Sequence, residues 1–271
     1  LNIVLDLVFV IQFNMGIAGV AIATIISQFV SAILVLVLLL KTDDIYKVTI
    51  PDLKLDFSIF SDICRVGLPM AIQSCITSFS NVFVQSYVNF FGKTVMAGWA
   101  SYNKIDQFIL LPIQSMANAC TTFVSQNVGA DNYERANKGT LICIIMTEIV
   151  TFGVAAFIWV FAAQAVGLFS QDAEVIHAGV VFLRTNVFFL AFNCVTHTLA
   201  SSLRGRGDSS GPMVLMLTGM VGIRQLYLFV VTRYVINTAQ VVGFGYPVGW
   251  MITSVMMVIY FKLKGSKKPV Y

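Results

Sequence analysis

The chain has 271 residues, of which 58% are hydrophobic and only 11% charged, and its mean hydropathy is +0.84. That balance excludes a water-soluble domain of this length and places the chain in a lipid bilayer. A net charge of +4 does not mark a nucleic-acid binder here, because the basic residues fall in short clusters between apolar runs and not on one face.

A transmembrane helix needs about 20 apolar residues, and the sequence offers one partial and seven full segments of that kind. The partial one, 1–13, reads as the tail of a span. The chain opens on Leu1, already apolar, without the basic stretch, short apolar core and cleavage site of a signal peptide, so upstream spans are expected. Asn2 and Asp6 stand in this segment, four residues apart and so on one face of a helix. A carboxylate in lipid costs ~2.5–3.5 kcal/mol on insertion scales and is rarely kept there without a partner or a job. No basic residue accompanies Asp6 within 1–40. Together with the amide of Asn2 and a hydroxyl such as Thr24 from the next span, its oxygens make a site for a proton or a hard cation.

Segment 16–40 is free of charge and ends at Lys41. The interval 41–66 then carries Asp43, Asp44, Lys47, Asp52, Lys54, Asp56, Asp62 and Arg65 around Pro51, and reads as the linker between two halves. Within it Phe57, Phe60 and Ile63 recur at helical spacing, which predicts a short helix lying on the membrane surface. Segment 67–92 opens on Leu68-Pro69, where a proline is tolerated in a first turn. Past a turn at Lys93, segment 94–128 is too long to cross straight, and a bend is expected at Pro112. Segments 140–169, 175–203, 212–232 and 241–261 complete the set, and a tail with Lys262, Lys264, Lys267 and Lys268 closes the chain.

Orientation follows from the distribution of Lys and Arg on alternate sides. One side holds Lys41, Lys47, Lys54, Arg65, Arg135, Lys138, Arg204, Arg206 and the four tail lysines, while the other holds only Lys93 and Arg233. The linker and the C-terminus are therefore expected in the cytoplasm, with the protein in the cell membrane. On that side Arg206-Gly207-Asp208 reads as a helix-ending turn, not an adhesion tripeptide.

The full spans contain Lys104, Asp106, Glu148, Arg184 and Arg224. Isolated charges are disfavoured at that depth, so pairing across helices is expected, especially for Glu148, Arg184 and Arg224. Asp106, close to Pro112, is also placed to face a cavity. Lys104 and Asp106 are two residues apart and point in different directions. Cys64, Cys75, Cys120, Cys143 and Cys194 show no CxxC spacing and read as small core residues; His177 and His197 lack ligand spacing, so no metal centre or cofactor is expected.

Several stretches, in this order, resemble multidrug and toxic compound extrusion (MATE) transporters: Asn2-Ile3-Val4-Leu5-Asp6, Gly19-Val20-Ala21-Ile22-Ala23-Thr24-Ile25-Ile26-Ser27-Gln28, Gly67-Leu68-Pro69, Lys104-Ile105-Asp106, Phe123-Val124-Ser125-Gln126-Asn127-Val128-Gly129-Ala130 with Arg135-Ala136, and Leu203-Arg204-Gly205 before Pro212. The resemblance covers the C-terminal two-thirds of such a protein. It implies an all-α polytopic membrane fold of two six-helix lobes related by a pseudo-twofold along the membrane normal. Residues 1–40 are then the last two helices of the first lobe, 41–66 the inter-lobe linker, 67–265 the second lobe and 266–271 a cytoplasmic tail. The implied activity is export of amphipathic organic compounds, often cationic, by alternating access, coupled to H⁺ or Na⁺. Asn2, Asp6 and Thr24 match a first-lobe cation site that the family completes with an acid on its first helix, outside this chain. Acids that some members carry on the seventh and tenth helices have no counterpart in 67–92 or 175–203. The partners implied are membrane lipid, a small-molecule substrate and the remaining first-lobe helices, without which the segment is not expected to transport. A flippase of lipid-linked precursors, with the same general architecture, and a non-transporting membrane scaffold are the alternatives. A polytopic hydrolase is disfavoured, because no span carries adjacent acids or a HExxH pair.

Overall fold

The computed structural model describes residues 1–44 and 47–265, which form helices, short 3₁₀ and π turns and connecting loops, with no strand among the described residues. The expected tail 266–271 lies outside them. Among the described residues seven helices are long and apolar enough to cross a membrane, with one shorter apolar helix before them. In chain order the elements are α1 (Asn2–Gln12), α2 (Gly16–Lys41), α3 (Phe57–Asn89), α4 (Lys93–Gly129), α5 (Tyr133–Val160), the short α6 (Ala162–Gly167), α7 (Ala173–Gly205), α8 (Ser210–Tyr234) and α9 (Ala239–Lys264). Contacts divide the chain into two compact units, Leu1–Phe60 and Ser61–Tyr271.

The first unit is built on a hairpin of α1 and α2. Gly19, Ala23 and Ser27, four residues apart, are the buried positions of α2, a line of small residues that lets two backbones approach closely. At Gly19 a Cβ would lie 3.0 Å from the Cβ atoms of both Phe9 and Met15. The turn between the helices runs through Asn14 and Gly16 at φ of 50° and 54°, the left-handed region that Gly and Asn tolerate best. Within α1 the α-helical hydrogen bonding gives way to a π turn over Val8–Gln12, immediately past Asp6. Such turns occur often at functional sites.

The surface helix predicted at Phe57, Phe60 and Ile63 is instead the first turns of α3. Asp56 starts it, accepting through Oδ1 from the backbone N–H groups of Ser58 and Ile59 at 2.8 and 3.3 Å, the arrangement of a capping aspartate. The helix then continues through Pro69. A proline in a span costs little where neighbouring groups satisfy the freed backbone, so it does not separate the two expected elements.

In the second unit α4 is the central element, running unbroken through Pro112 and packing against α5 and α7. A Cβ on Gly98 would meet Ala178 Cβ at 2.8 Å and the Gly179 nitrogen at 2.9 Å, so α4 and α7 cross at glycine distance. Beside this crossing Trp99, Tyr102 and Phe182 make an aromatic cluster, with Trp99 4.9 Å from Phe182 and 5.0 Å from Tyr102 between ring centroids. Tyr246 and Trp250 of α9 extend it, with Tyr246 5.7 Å from Trp99. α7 is interrupted by a 3₁₀ turn at Val187–Phe189 and α8 by a π turn at Leu217–Ile223, directly before Arg224.

The Arg206–Asp208 tripeptide is the helix-ending turn expected of it. The Arg206 N–H bonds back to the Leu203 carbonyl at 3.0 Å, and Gly207 takes φ of 84°. Asp208 then accepts from the Gly211 N–H at 2.9 Å and from the Tyr260 hydroxyl at 2.6 Å, which ties the end of α9 to this turn. Of the cysteines, Cys120, Cys143 and Cys194 are buried as expected, but Cys75 is exposed on α3.

Candidate functional site

The α1–α2 hairpin brings the predicted oxygens together. Asn2 Nδ2 donates to Thr24 Oγ1 at 3.3 Å, and the Thr24 hydroxyl donates in turn to the Val20 carbonyl at 2.9 Å. With its proton committed to Val20, Thr24 presents an oxygen lone pair toward Asn2. Asp6 lies one turn further along α1. It is half-buried, and its Oδ1 is enclosed without a hydrogen-bond partner among the described residues. An enclosed carboxylate oxygen without a partner is open to a ligand that supplies one.

The five charges inside the other spans do not form the mutual pairs expected of them. Among the described residues, ion pairs join Lys47 to Asp43 and Lys138 to Glu134, both near helix ends or in the linker. Arg224, 3% exposed, donates from Nη2 to Ser80 Oγ at 2.7 Å and to Asn81 Oδ1 at 3.0 Å. Its guanidinium lies 4.6 Å from the centre of the Tyr246 ring, whose hydroxyl donates to Asn81 at 3.3 Å. Gln225 adds bonds to the Ser80 hydroxyl and carbonyl at 2.8 and 3.0 Å. Arg184 sits over Trp159 at 5.2 Å and Lys104 over Phe169 at 5.1 Å. Asp106 is half-buried, within electrostatic range of Tyr102 and Tyr246, and Glu148 Oε2 is enclosed without a hydrogen-bond partner among the described residues.

The physical reason is that neutral oxygens and aromatic faces stabilise a guanidinium or ammonium without taking a second ion out of water. Ser80, Asn81, Gln225 and Tyr246 are the residues that reasoning from the sequence missed. The signal available for them was weak: Ser80-Asn81 is one polar pair in an uncharged run that also holds Gln73, Ser74, Thr77, Ser78 and Gln85.

Comparison with known proteins gives the same answer as the helices. Residues 69–230 match the MatE family. The chain is 24% identical over 260 residues to the probable multidrug resistance protein YoeA of Bacillus subtilis (strain 168), covering 95% of this chain and 56% of YoeA. It is 24% identical over 234 residues to the multidrug export protein MepA of Staphylococcus aureus (strain MSSA476), covering 84% of this chain and 51% of MepA. An outward-facing structure of a multidrug resistance MATE family transporter of the MOP superfamily superposes with a TM-score of 0.92 at 25% identity, over 99% of this chain and 61% of that one. The chain thus spans between half and three-fifths of the length of these relatives. Its helices, their order and the matched segment agree, and the chain belongs to the MatE family.

Proposed function

We propose that the protein is a secondary antiporter that exports amphipathic organic compounds, cationic ones among them, by alternating access, driven by H⁺ or Na⁺ binding at Asp6. The observation that carries this reading is the enclosed, unpartnered Asp6 oxygen one turn from the Asn2–Thr24 hydrogen bond. A carboxylate, an amide and a hydroxyl offer the hard oxygen ligands that a sodium ion or a proton requires. Binding there neutralises the carboxylate and so favours whichever conformation encloses it most. This differential affinity is what couples the ion to an alternating-access equilibrium. The family membership supports export as the activity, and the bias of Lys and Arg supports a cytoplasmic linker and C-terminus in the cell membrane.

The test is efflux of a fluorescent amphipathic dye from everted vesicles carrying the full-length protein, with proton and sodium gradients imposed separately. One gradient alone is expected to drive efflux, and Asp6→Asn is expected to abolish the drive while the protein remains inserted and folded. Undiminished gradient-driven efflux by Asp6→Asn removes Asp6 from the mechanism.

A further inference from the structure

α4 and α5 present different surfaces to the outside of the second unit. On α5 the exposed positions Leu141, Ile145, Ile149 and Phe152 are apolar, as a lipid-facing helix requires. On α4 the exposed line runs through Lys104, Gln107, Gln114 and Asn118, with Leu111 completing the three- and four-residue spacing. At ~1.5 Å per residue this line extends roughly 21 Å along the middle of the helix, within the roughly 30 Å of hydrocarbon. A lysine and three amides along one face at that depth are disfavoured against acyl chains and belong in a water-filled or protein-lined interior. This is a face of the solute path, not of the lipid contact.

Toward the N-terminal end of α4 the face opens into a recess of about 230 Å³ lined by Lys104, Gln107, Phe108, Leu111 and Phe169. Pockets that take a whole drug-sized ligand run from about 300 to 1,000 Å³, so this one has room for one end of a molecule. Its single charge is positive. Among the described residues Lys104 meets no carboxylate, and its ammonium rests on the face of Phe169 at 5.1 Å. Asp106, two residues on, lies on the other side of α4 near Tyr102 and Tyr246. The recess therefore joins an unneutralised cation and a neutral amide to an apolar wall made of two aromatic rings and a leucine.

We propose that this recess is a ligand subsite for the anionic end of an amphiphile. Lys104 Nζ supplies the charge, Gln107 a second hydrogen-bond donor, and Phe108, Leu111 and Phe169 cover the carbons next to the acidic group. The subsite rests on the export reading for its purpose and adds the charge of the ligand: compounds with a carboxylate, sulfonate or phosphate, zwitterions included, bind there better than purely cationic ones. An anionic lipid headgroup shares this chemistry.

The test is equilibrium binding, without any ion gradient, to the whole chain in phosphatidylcholine nanodiscs. Two probes share a dansyl-labelled alkyl tail, one ending in a sulfonate and the other in trimethylammonium. The sulfonate probe is expected to bind about 10-fold more tightly, and Lys104→Gln to remove about 10-fold of its affinity, as for a lost charge-assisted hydrogen bond. Lys104→Arg is expected to retain most of it. Lys104 is exposed, so all three proteins should share one melting curve, which is checked in parallel. Equal affinity for the two probes, or an unchanged sulfonate affinity in Lys104→Gln, overturns the proposal. Adding phosphatidylglycerol to the nanodiscs identifies the source: competition with the probe assigns the subsite to a lipid headgroup, and its absence to an exported organic anion. Failure of coupling at Asp6 shows only under a gradient and leaves these equilibria intact.

Discussion

Arg224 shows how a charge is kept inside a span without an opposite charge. Its guanidinium is shared by Ser80, Asn81 and Tyr246, which belong to two distant stretches of the chain and meet only in the fold. Replacing Arg224 by Ala removes two charge-assisted hydrogen bonds and the cation that Tyr246 faces. We expect a loss of roughly 2–3 kcal/mol, read as a lower melting temperature of the purified protein in detergent. Asn81→Ala, which leaves Ser80 in place, is expected to lose about half as much. An unchanged melting temperature in Arg224→Ala means that this network does not hold α8 and α9 to α3. Asp6 was legible in the sequence because it is the one acid in a 40-residue apolar stretch. The partners of Arg224 were not, since a serine and an asparagine more than 140 residues away carry no charge with which to announce a pairing. The expectation of ion pairs rested on charge complementarity, the only electrostatic signal that a linear sequence offers.

At the scale of helices, small residues decide where the backbones meet. Gly98 lies against Ala178 and Gly179 with no room for a side chain, so Gly98→Leu is expected to push α4 from α7 and break the adjoining contacts of Trp99 with Phe182. Overpacking of this kind costs typically 1–3 kcal/mol. It should appear as a lower melting temperature together with a red shift in tryptophan emission as Trp99, 2% exposed in the native fold, meets water. Gly153, where an added Cβ meets nothing within 4 Å, is the control: Gly153→Leu should leave both readings unchanged. Equal behaviour of the two variants argues against a close α4–α7 crossing. Helix positions were readable from hydropathy, because each span must satisfy its backbone internally. The start of α3 was not, because the amphipathic pattern at Phe57, Phe60 and Ile63 fits both a surface helix and the entry to a span. The continuation of the helix through Pro69 makes the difference.

For the molecule as a whole, the sidedness of its connections is the property that the basic residues predict. In a background with all five native cysteines replaced by serine or alanine, a cysteine at Lys54 is expected to react with a membrane-impermeant maleimide only in everted vesicles. A cysteine at Lys93 is expected to react only in intact cells. Reaction of both from the same side contradicts the alternating topology. One candidate span separates Lys54 from Lys93, while two separate Lys54 from Arg135 and two more separate Arg135 from Arg206, so reagents from one side should find Lys54, Arg135 and Arg206 in common.

By itself the sequence determined the membrane setting, the number and order of the spans, and the resemblance that the MatE match then showed. It also singled out Asn2, Asp6 and Thr24, because polar atoms in an apolar run stand out against hydrocarbon whatever the fold. Only the tertiary structure decided what those atoms and the other buried charges meet. Asn2 reaches Thr24 because Gly19, Ala23 and Ser27 let α1 and α2 close. Arg224 finds neutral acceptors, and Lys104 faces an open recess with no acid beside it. Hydropathy is a property of each residue and survives in the linear chain. The partner of a charge depends on which helices pack and at what rotation, and that is fixed by side-chain volumes that the linear order does not reveal.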